Sequence, residues 1–258
     1  MRYYTLPLLV AAMLALPACK KDDGATASND VAAPSGLLGA AADQAKASAA
    51  SAALPQPNPD KPLSSYPELN SGNQIMFLYV AASKLPPDYT KLAESYSSEY
   101  RSTIDTFRKN DLLQAIKPQL DQKIALANAT PYGWMQIDQA NLGPYDFERK
   151  GFPIGEFNDD TYRYFNDNSS YKIGWANFRQ VSFAPVIDEG TARRIEAMRS
   201  DWSNTPRLKV YFFAQSADLD NERVNALVTH VQITDKSGRV LTEYGPDGST
   251  TVSTNPNP

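Results

Sequence analysis

Three observations predict an α+β domain in which N-terminal helices are followed by an antiparallel β-sheet ending in a C-terminal meander. Apolar residues recur every three to four positions up to Ile124, and nearer to every second position from Trp134 onward. All the helix-like segments but one precede the strand-like ones, an order unlike the regular βαβ alternation of a doubly wound fold. Three alternating runs, Arg207–Gln215, Arg223–Thr234 and Arg239–Tyr244, follow one another through short links, the last link being the turn Asp235-Lys236-Ser237-Gly238.

The individual elements follow from spacing and punctuation. Gln74–Lys84 is apolar nearly all round, as a mostly buried helix requires, and Pro86-Pro87 end it. Tyr89, Leu92, Ala93, Tyr96, Tyr100, Ile104 and Phe107 form one helical stripe. Asp111 offers an N-cap for a third helix with Leu113, Ile116, Leu120 and Ile124 on one face, where Pro118 predicts a kink or a later start. Trp134–Leu142, Thr161–Phe165, Tyr171–Trp175 and Asn177–Phe183 are short, aromatic-rich and bounded by Gly, Pro, Asn or Asp, which reads as strands. Asn166-Asp167-Asn168-Ser169 is a turn between two of them. Glu189–Arg199 reads as a short helix with Ala192, Ile195 and Met198 facing one way.

Ahead of this domain the composition changes. Met1–Ala18 carry one basic residue, Arg2, then the apolar run Leu6–Leu16, the pattern of a secretion signal. The run is too short to span a bilayer, which takes about 20 residues. Leu16-Pro17-Ala18-Cys19 resembles the lipobox of bacterial lipoproteins, and the resemblance implies cleavage before Cys19 and lipidation of its thiol. Lys20, in place of the aspartate that retains such proteins at the inner membrane, implies the outer membrane, facing the periplasm. Ordinary cleavage after Ala18 would instead leave a soluble periplasmic protein. Residues 20–70 hold thirteen alanines and one aromatic (Tyr66), and prolines recur towards their end at 55, 57, 59, 62 and 67. Such a segment buries too little surface to offset its ordering entropy. The expected organisation is therefore a signal peptide over 1–18, a lipid-anchored tether over 19–69, one α+β domain over 70–245 and a polar tail over 246–258.

Leu142-Gly143-Pro144-Tyr145-Asp146-Phe147 with Gly151-Phe152-Pro153 resembles the central block of a bacterial domain family of unknown function. The resemblance runs from about Asn70 to Tyr244 and implies no catalytic residues. Read from the residues alone, the chain leaves the sheet at Gly143-Pro144, and Tyr145, Phe147 and Phe152 pack over an edge.

The whole chain has 25 Lys+Arg against 29 Asp+Glu, and loss of the leader removes only Arg2 from that balance. A mildly acidic surface disfavours nucleic acid, whose binding requires clustered cations. With one cysteine there is no internal disulfide, and with one histidine, His230, no multi-histidine zinc site. His230 lies in an alternating strand, no Gly-x-Ser-x-Gly elbow is present to pair with it, and neither GxxxxGK[ST] nor GxGxxG occurs. No motif calls for a metal or a cofactor. Asp218, Asp220, Asn221 and Glu222 gather oxygen ligands between two strands but lack the glycine and distant glutamate of an EF-hand loop. Glu156 with Asp159-Asp160 could supply paired carboxylates, an arrangement that needs a defined separation across a cleft. Arg193, Arg194 and Arg199 read as a solvated helix face. Tyr162, Tyr164, Tyr171 and Trp175 cluster on a hairpin, either as a contact platform or as cross-strand packing.

The expected function is a non-enzymatic cell-envelope lipoprotein, a binding or structural module on a flexible tether. It is held to the membrane through lipid on Cys19, and its partner is an envelope protein or polysaccharide. The alternatives are an enzyme acting on an envelope polymer through carboxylates and a carrier of a small apolar ligand.

Overall fold

The first helix, α1 (Gly72–Ser83), is fixed at its start by a capping box. The Ser71 hydroxyl accepts from the N–H of Asn73 (3.2 Å) and the Gln74 carboxamide accepts from the N–H of Ser71 (3.0 Å). It ends at Lys84, whose left-handed φ of 58° turns the chain into Leu85-Pro86-Pro87. The structure, a computed structural model, describes residues 53–251.

The single stripe expected from Tyr89 to Phe107 divides. Helix α2 (Tyr89–Tyr96) stops at Ser97, whose extended backbone and side chain cap α3 (Ser98–Ser102) by accepting from the N–H of Tyr100. Asp105, and not Asp111, then caps α4 (Thr106–Ala129) by accepting from the N–H of Arg108 at 2.8 Å. Polar side chains that bind nearby N–H groups outcompete the continuation of a helix, and Ile104 and Phe107 are left exposed. Pro118 does not delay the start of α4, which runs through it.

The main sheet comprises β1 (Tyr132–Ile137), β3 (Tyr162–Phe165), β4 (Asn168–Trp175), β6 (Arg207–Asp218), β7 (Arg223–Thr234), β8 (Val240–Tyr244) and β9 (Thr250–Thr251), in the order β1-β6-β7-β4-β3 with β8 attached to β7 and β9 to β8. It is mixed and mostly antiparallel, because β4 and β7 run parallel from Lys172↔Arg223 to Trp175↔Ala226. The C-terminal meander β6-β7-β8 is present as expected. Two of the expected strands are corrected. Trp134–Leu142 pairs only as far as Ile137, and Asn177–Phe183 is instead the short helix α5 (Phe178–Val181), which leads into β5 (Phe183–Pro185). Strand β5 pairs with β2 (Gly151–Pro153) in a separate two-stranded sheet. Helix α6 (Glu189–Ser200), with Ala192, Ile195 and Met198 buried, precedes β6.

Alternation gives the sheet two different faces. Leu208, Val210, Phe212, Val224, Ala226 and Val228 join the main core with Ile75, Met76 and Leu78 of α1. Tyr211 and Phe213 point the other way, beside Tyr132 of β1. That second face is covered by residues 54–69, and the tether expected to reach residue 69 therefore ends earlier. Tyr66 is only 5% exposed and makes edge contacts with Tyr132 and Tyr211 at 5.1 and 5.7 Å. Leu69 N–H donates to the Trp134 carbonyl (2.7 Å) and Trp134 N–H to the Pro67 carbonyl (2.9 Å), so the segment also closes the β1 edge. Five prolines preset much of this backbone, which lowers the entropy lost when it docks. The expected signal peptide, Cys19 and the part of the expected tether before residue 53 lie outside the described residues, as does the expected tail after Thr251.

Candidate ligand cleft at the fork of the sheet

Strand β7 has two successive neighbours along one edge. Arg223–Ala226 pair with β4 and Val231–Thr234 with β8, leaving Leu227–His230 between them with no strand alongside. The gap coincides with a bulge. Tyr211 opposes His230 and Phe212 opposes Val228, so Thr229 is one residue in excess of its partner strand. A bulge bends a strand and raises its twist, and strands paired to either side of it diverge.

Asn177 fills the gap. Its Nδ2 donates to the Val228 carbonyl (2.9 Å) and its Oδ1 accepts from the Val228 N–H (2.8 Å). One carboxamide thus replaces both ladder bonds of a missing strand, and no backbone group of Val228 is orphaned. The last step of β4, Ala176 N–H to the Ala226 carbonyl at 2.8 Å, aims the Asn177 side chain there.

A cleft of about 740 Å³ opens at this fork, within the roughly 300–1,000 Å³ range of small-ligand sites. The sheet contributes Gln215, Leu227, Thr229 and His230, the N-terminal segment contributes Gln56–Pro59 and Tyr66, and α5 with its approach contributes Asn177–Gln180. The turn Gly245–Ser249 closes the remaining side. The N-terminal wall is pinned by Gln215 Nε2 donating to the Pro55 carbonyl (3.0 Å) and by Asn58 N–H donating to the Tyr132 hydroxyl (2.8 Å). The bulged Thr229 donates its hydroxyl to that of Tyr66 at 3.3 Å. Burial raises the Tyr66 phenol above its ordinary value against the opposing pull of Thr229, so it stays a neutral hydroxyl.

The lining mixes apolar surface with hydrogen-bonding side chains and carries little net charge. Besides His230, its only ionisable cation is Arg179 and its only carboxylate is Asp247, while Gln56, Asn58, Asn177, Gln180 and Gln215 supply five carboxamides. Asp247 accepts the hydroxyl and N–H of Ser249 at 2.6 and 3.0 Å, and these two bonds hold its carboxyl below the usual range, with a smaller pull from His230. His230 is half-buried, and its Nδ1 is buried without a hydrogen-bond partner among the described residues.

Of the residues weighed in the sequence, His230 lines the cleft and the others fall elsewhere. Tyr162 and Tyr164 lie on the outer strand β3, 45% and 50% exposed with ring centroids 6.3 Å apart. Tyr171 and Trp175 do not join them: at 1% and 4% exposure they pack in the core against Tyr79 and Phe212. Alternation within β4 buries this pair, so the four-residue platform reduces to two tyrosines. Glu156 is buried, accepts the N–H of Asn141 (3.1 Å) and pairs with Arg163, whereas Asp159 and Asp160 are exposed. Asp218 accepts from Asn221 and pairs with Arg223 at 3.1 Å, and Glu222 pairs with Lys91. Among the described residues no group of three His, Cys, Asp or Glu side chains could hold a metal, and no helix is long and apolar enough to cross a membrane. Arg193 and Arg199 pair with Glu189 and Glu196 along α6.

Sequence reasoning passed over Asn177, Arg179, Gln180 and Tyr66, since nothing in periodicity marks a side chain that substitutes for a strand. Comparison with known proteins finds no family model, no curated protein and no solved structure that matches this chain.

Proposed function

We propose that this chain is a lipid-anchored protein of the bacterial cell envelope whose folded domain is a non-enzymatic binding module, with the cleft at the fork of the sheet as its ligand site. The carrying observation is the Asn177–Val228 pairing beside the Thr229 bulge. It keeps a gap in a continuous sheet while satisfying the backbone there, and the space gained is lined by hydrogen-bonding side chains. The carboxamides along the lining favour this reading over a carrier of small apolar ligands, which would cover the Gln180 carboxamide without giving it a partner. The pairing of Glu156 with Arg163 removes that residue from any two-carboxylate arrangement with Asp159 and Asp160.

The anchor rests on Leu16-Pro17-Ala18-Cys19, and Lys20 after it favours the outer membrane. In this reading two or more acyl chains give stable attachment, each buried CH₂ contributing about 0.8 kcal/mol. Two measurements test the proposal. Cys19→Ser abolishes lipid labelling and shifts the chain out of the detergent phase; equal partitioning of mutant and wild type overturns the anchor. A photoreactive amino acid replacing Gln180 captures an envelope component in cells, whereas one replacing Tyr162 does not. Capture from Tyr162 alone moves the binding face to β3.

A further inference from the structure

We infer that the cleft at the fork takes an uncharged saccharide, a stretch of neutral glycan chain; this rests on the reading of the cleft as the ligand site. The hydrogen-bonding groups of cleft and sugar match. A carboxamide carries two donors and an acceptor on one planar head, and a sugar hydroxyl likewise both donates and accepts. Gln180 stands exposed at the rim with its carboxamide in no hydrogen bond to another described residue. Charge points the same way. Arg179 and Asp247 oppose each other in sign, and Asp247 is already committed to Ser249. An acidic polymer therefore finds no cluster of cations here, and a polycation no cluster of free carboxylates.

The state of the sheet edge separates a saccharide from a peptide. Extended peptides are commonly held by adding a strand to an open sheet edge. At this fork the N–H and carbonyl of Val228 are already taken by Asn177, while β4 and β8 occupy the edge on either side. Side chains are what the cleft still offers. The half-buried Phe178 ring, with the Arg179 guanidinium 5.3 Å from its centroid, supplies an apolar surface for the C–H face of a pyranose. His230 lines the same wall, and its Nδ1, itself buried, has no hydrogen-bond partner among the described residues, although buried polar atoms ordinarily have one.

The test is titration calorimetry on the full lipidated chain in a sugar-free detergent. The probes are chitotetraose, cellotetraose and maltotetraose, with tetra-alanine and a tetragalacturonate as the peptide and acidic controls. At least one neutral tetrasaccharide binds, Gln180→Ala with His230→Gln weakens it at least tenfold without lowering the thermal midpoint, and Tyr162→Ala with Tyr164→Ala leaves it unchanged. Binding of tetra-alanine with the same dependence on Gln180 and His230, and of no saccharide, overturns the saccharide class and leaves the cleft as the ligand site. Tighter binding of the tetragalacturonate than of every neutral probe overturns it as well. Saccharide binding that ignores the cleft variants and is lost in the Tyr162/Tyr164 variant overturns both readings. If no probe binds, the saccharide inference falls, and capture from position 180 in cells decides the cleft separately.

Discussion

The Asn177 carboxamide meets the Val228 peptide unit as a neighbouring strand would, accepting from its N–H at 2.8 Å and donating to its carbonyl at 2.9 Å. Val228 is itself 1% exposed with Asn177 in place, so the carboxamide covers those two groups as well as bonding them. Asn177→Ala leaves both backbone groups without a partner, and each buried group left unsatisfied costs about 1–3 kcal/mol. The expected result is a lower urea midpoint for Asn177→Ala. Asn177→Asp recovers only part of the loss, since a carboxylate accepts from the N–H and cannot donate to the carbonyl. Equal midpoints for Asn177→Ala and wild type would show that the fork is held by other contacts.

The junction between α1 and the β3–β4 hairpin depends on a missing side chain. A Cβ on Gly72 would stand 2.4 Å from the carbonyl oxygen of Asn168 and 2.8 Å from its Cβ. Since the nearest atom is backbone, the hairpin or the helix must move. Helix propensity alone favours Gly72→Ala by about 0.5–1 kcal/mol. Overpacking costs about 1–3 kcal/mol and decides the sign. Gly72→Ala is expected to destabilise, and a stabilised variant would show that the hairpin yields freely.

The tip of that hairpin carries an acid-sensitive contact. Asp167 accepts the Gly72 N–H (2.9 Å) and the Ser71 hydroxyl (2.6 Å) at the N-terminus of α1. Burial pushes its carboxyl upward, but the bonds from Gly72, Ser71 and Asn73 outweigh it and hold the group below its ordinary 3.8. A carboxyl depressed in the folded state stabilises fully above its unfolded value, and the contribution drains away as the pH falls through the folded one. An anion at an exposed helix N-terminus contributes about 0.3–1 kcal/mol. Asp167→Asn is therefore less stable than wild type at pH 7, with the difference shrinking below 3.8. A pH-independent difference between the two thermal midpoints would refute a charge effect.

Much of the fold was legible because burial and periodicity carry the same information. Val224, Ala226 and Val228, then Val231 and Ile233, are the core-facing residues of β7, and the meander follows from them. The step of three between Val228 and Val231 is the trace of the Thr229 bulge in the sequence, the one signal that could have located the fork. Asn177 left no such trace, because its role depends on which strand lies opposite. The aromatic cluster misled for a related reason. Alternation separates Tyr171 from Tyr162 and Tyr164 only once the register of β3 against β4 is known, and a bulge lies between Arg163 and Phe165. Composition misled at 54–69, where a proline-rich stretch with a single aromatic reads as a tether although that aromatic, Tyr66, docks on the sheet.

That docking fixes where the folded unit begins. Limited proteolysis is expected to leave a fragment starting near Ala53 rather than Asn70, because from Leu54 onward the backbone is tied down through Pro55, Asn58, Pro67 and Leu69. Tyr66 and Leu69 are the two buried residues of this segment, and removing a buried aromatic side chain costs roughly 3–5 kcal/mol. Tyr66→Ala should lower the denaturant midpoint by a corresponding amount and expose 54–69 to protease. Tyr66→Phe keeps the ring contacts with Tyr132 and Tyr211 and gives up only the 3.3 Å bond from Thr229, a loss of about 0.5–1.5 kcal/mol. A chain of residues 54–258 is then as stable as the full chain, whereas one of residues 70–258 loses the cover over Tyr211 and Phe213 and the wall of the cleft. Equal stability of the two truncations would place the segment outside the cooperative unit and return the boundary to Asn70.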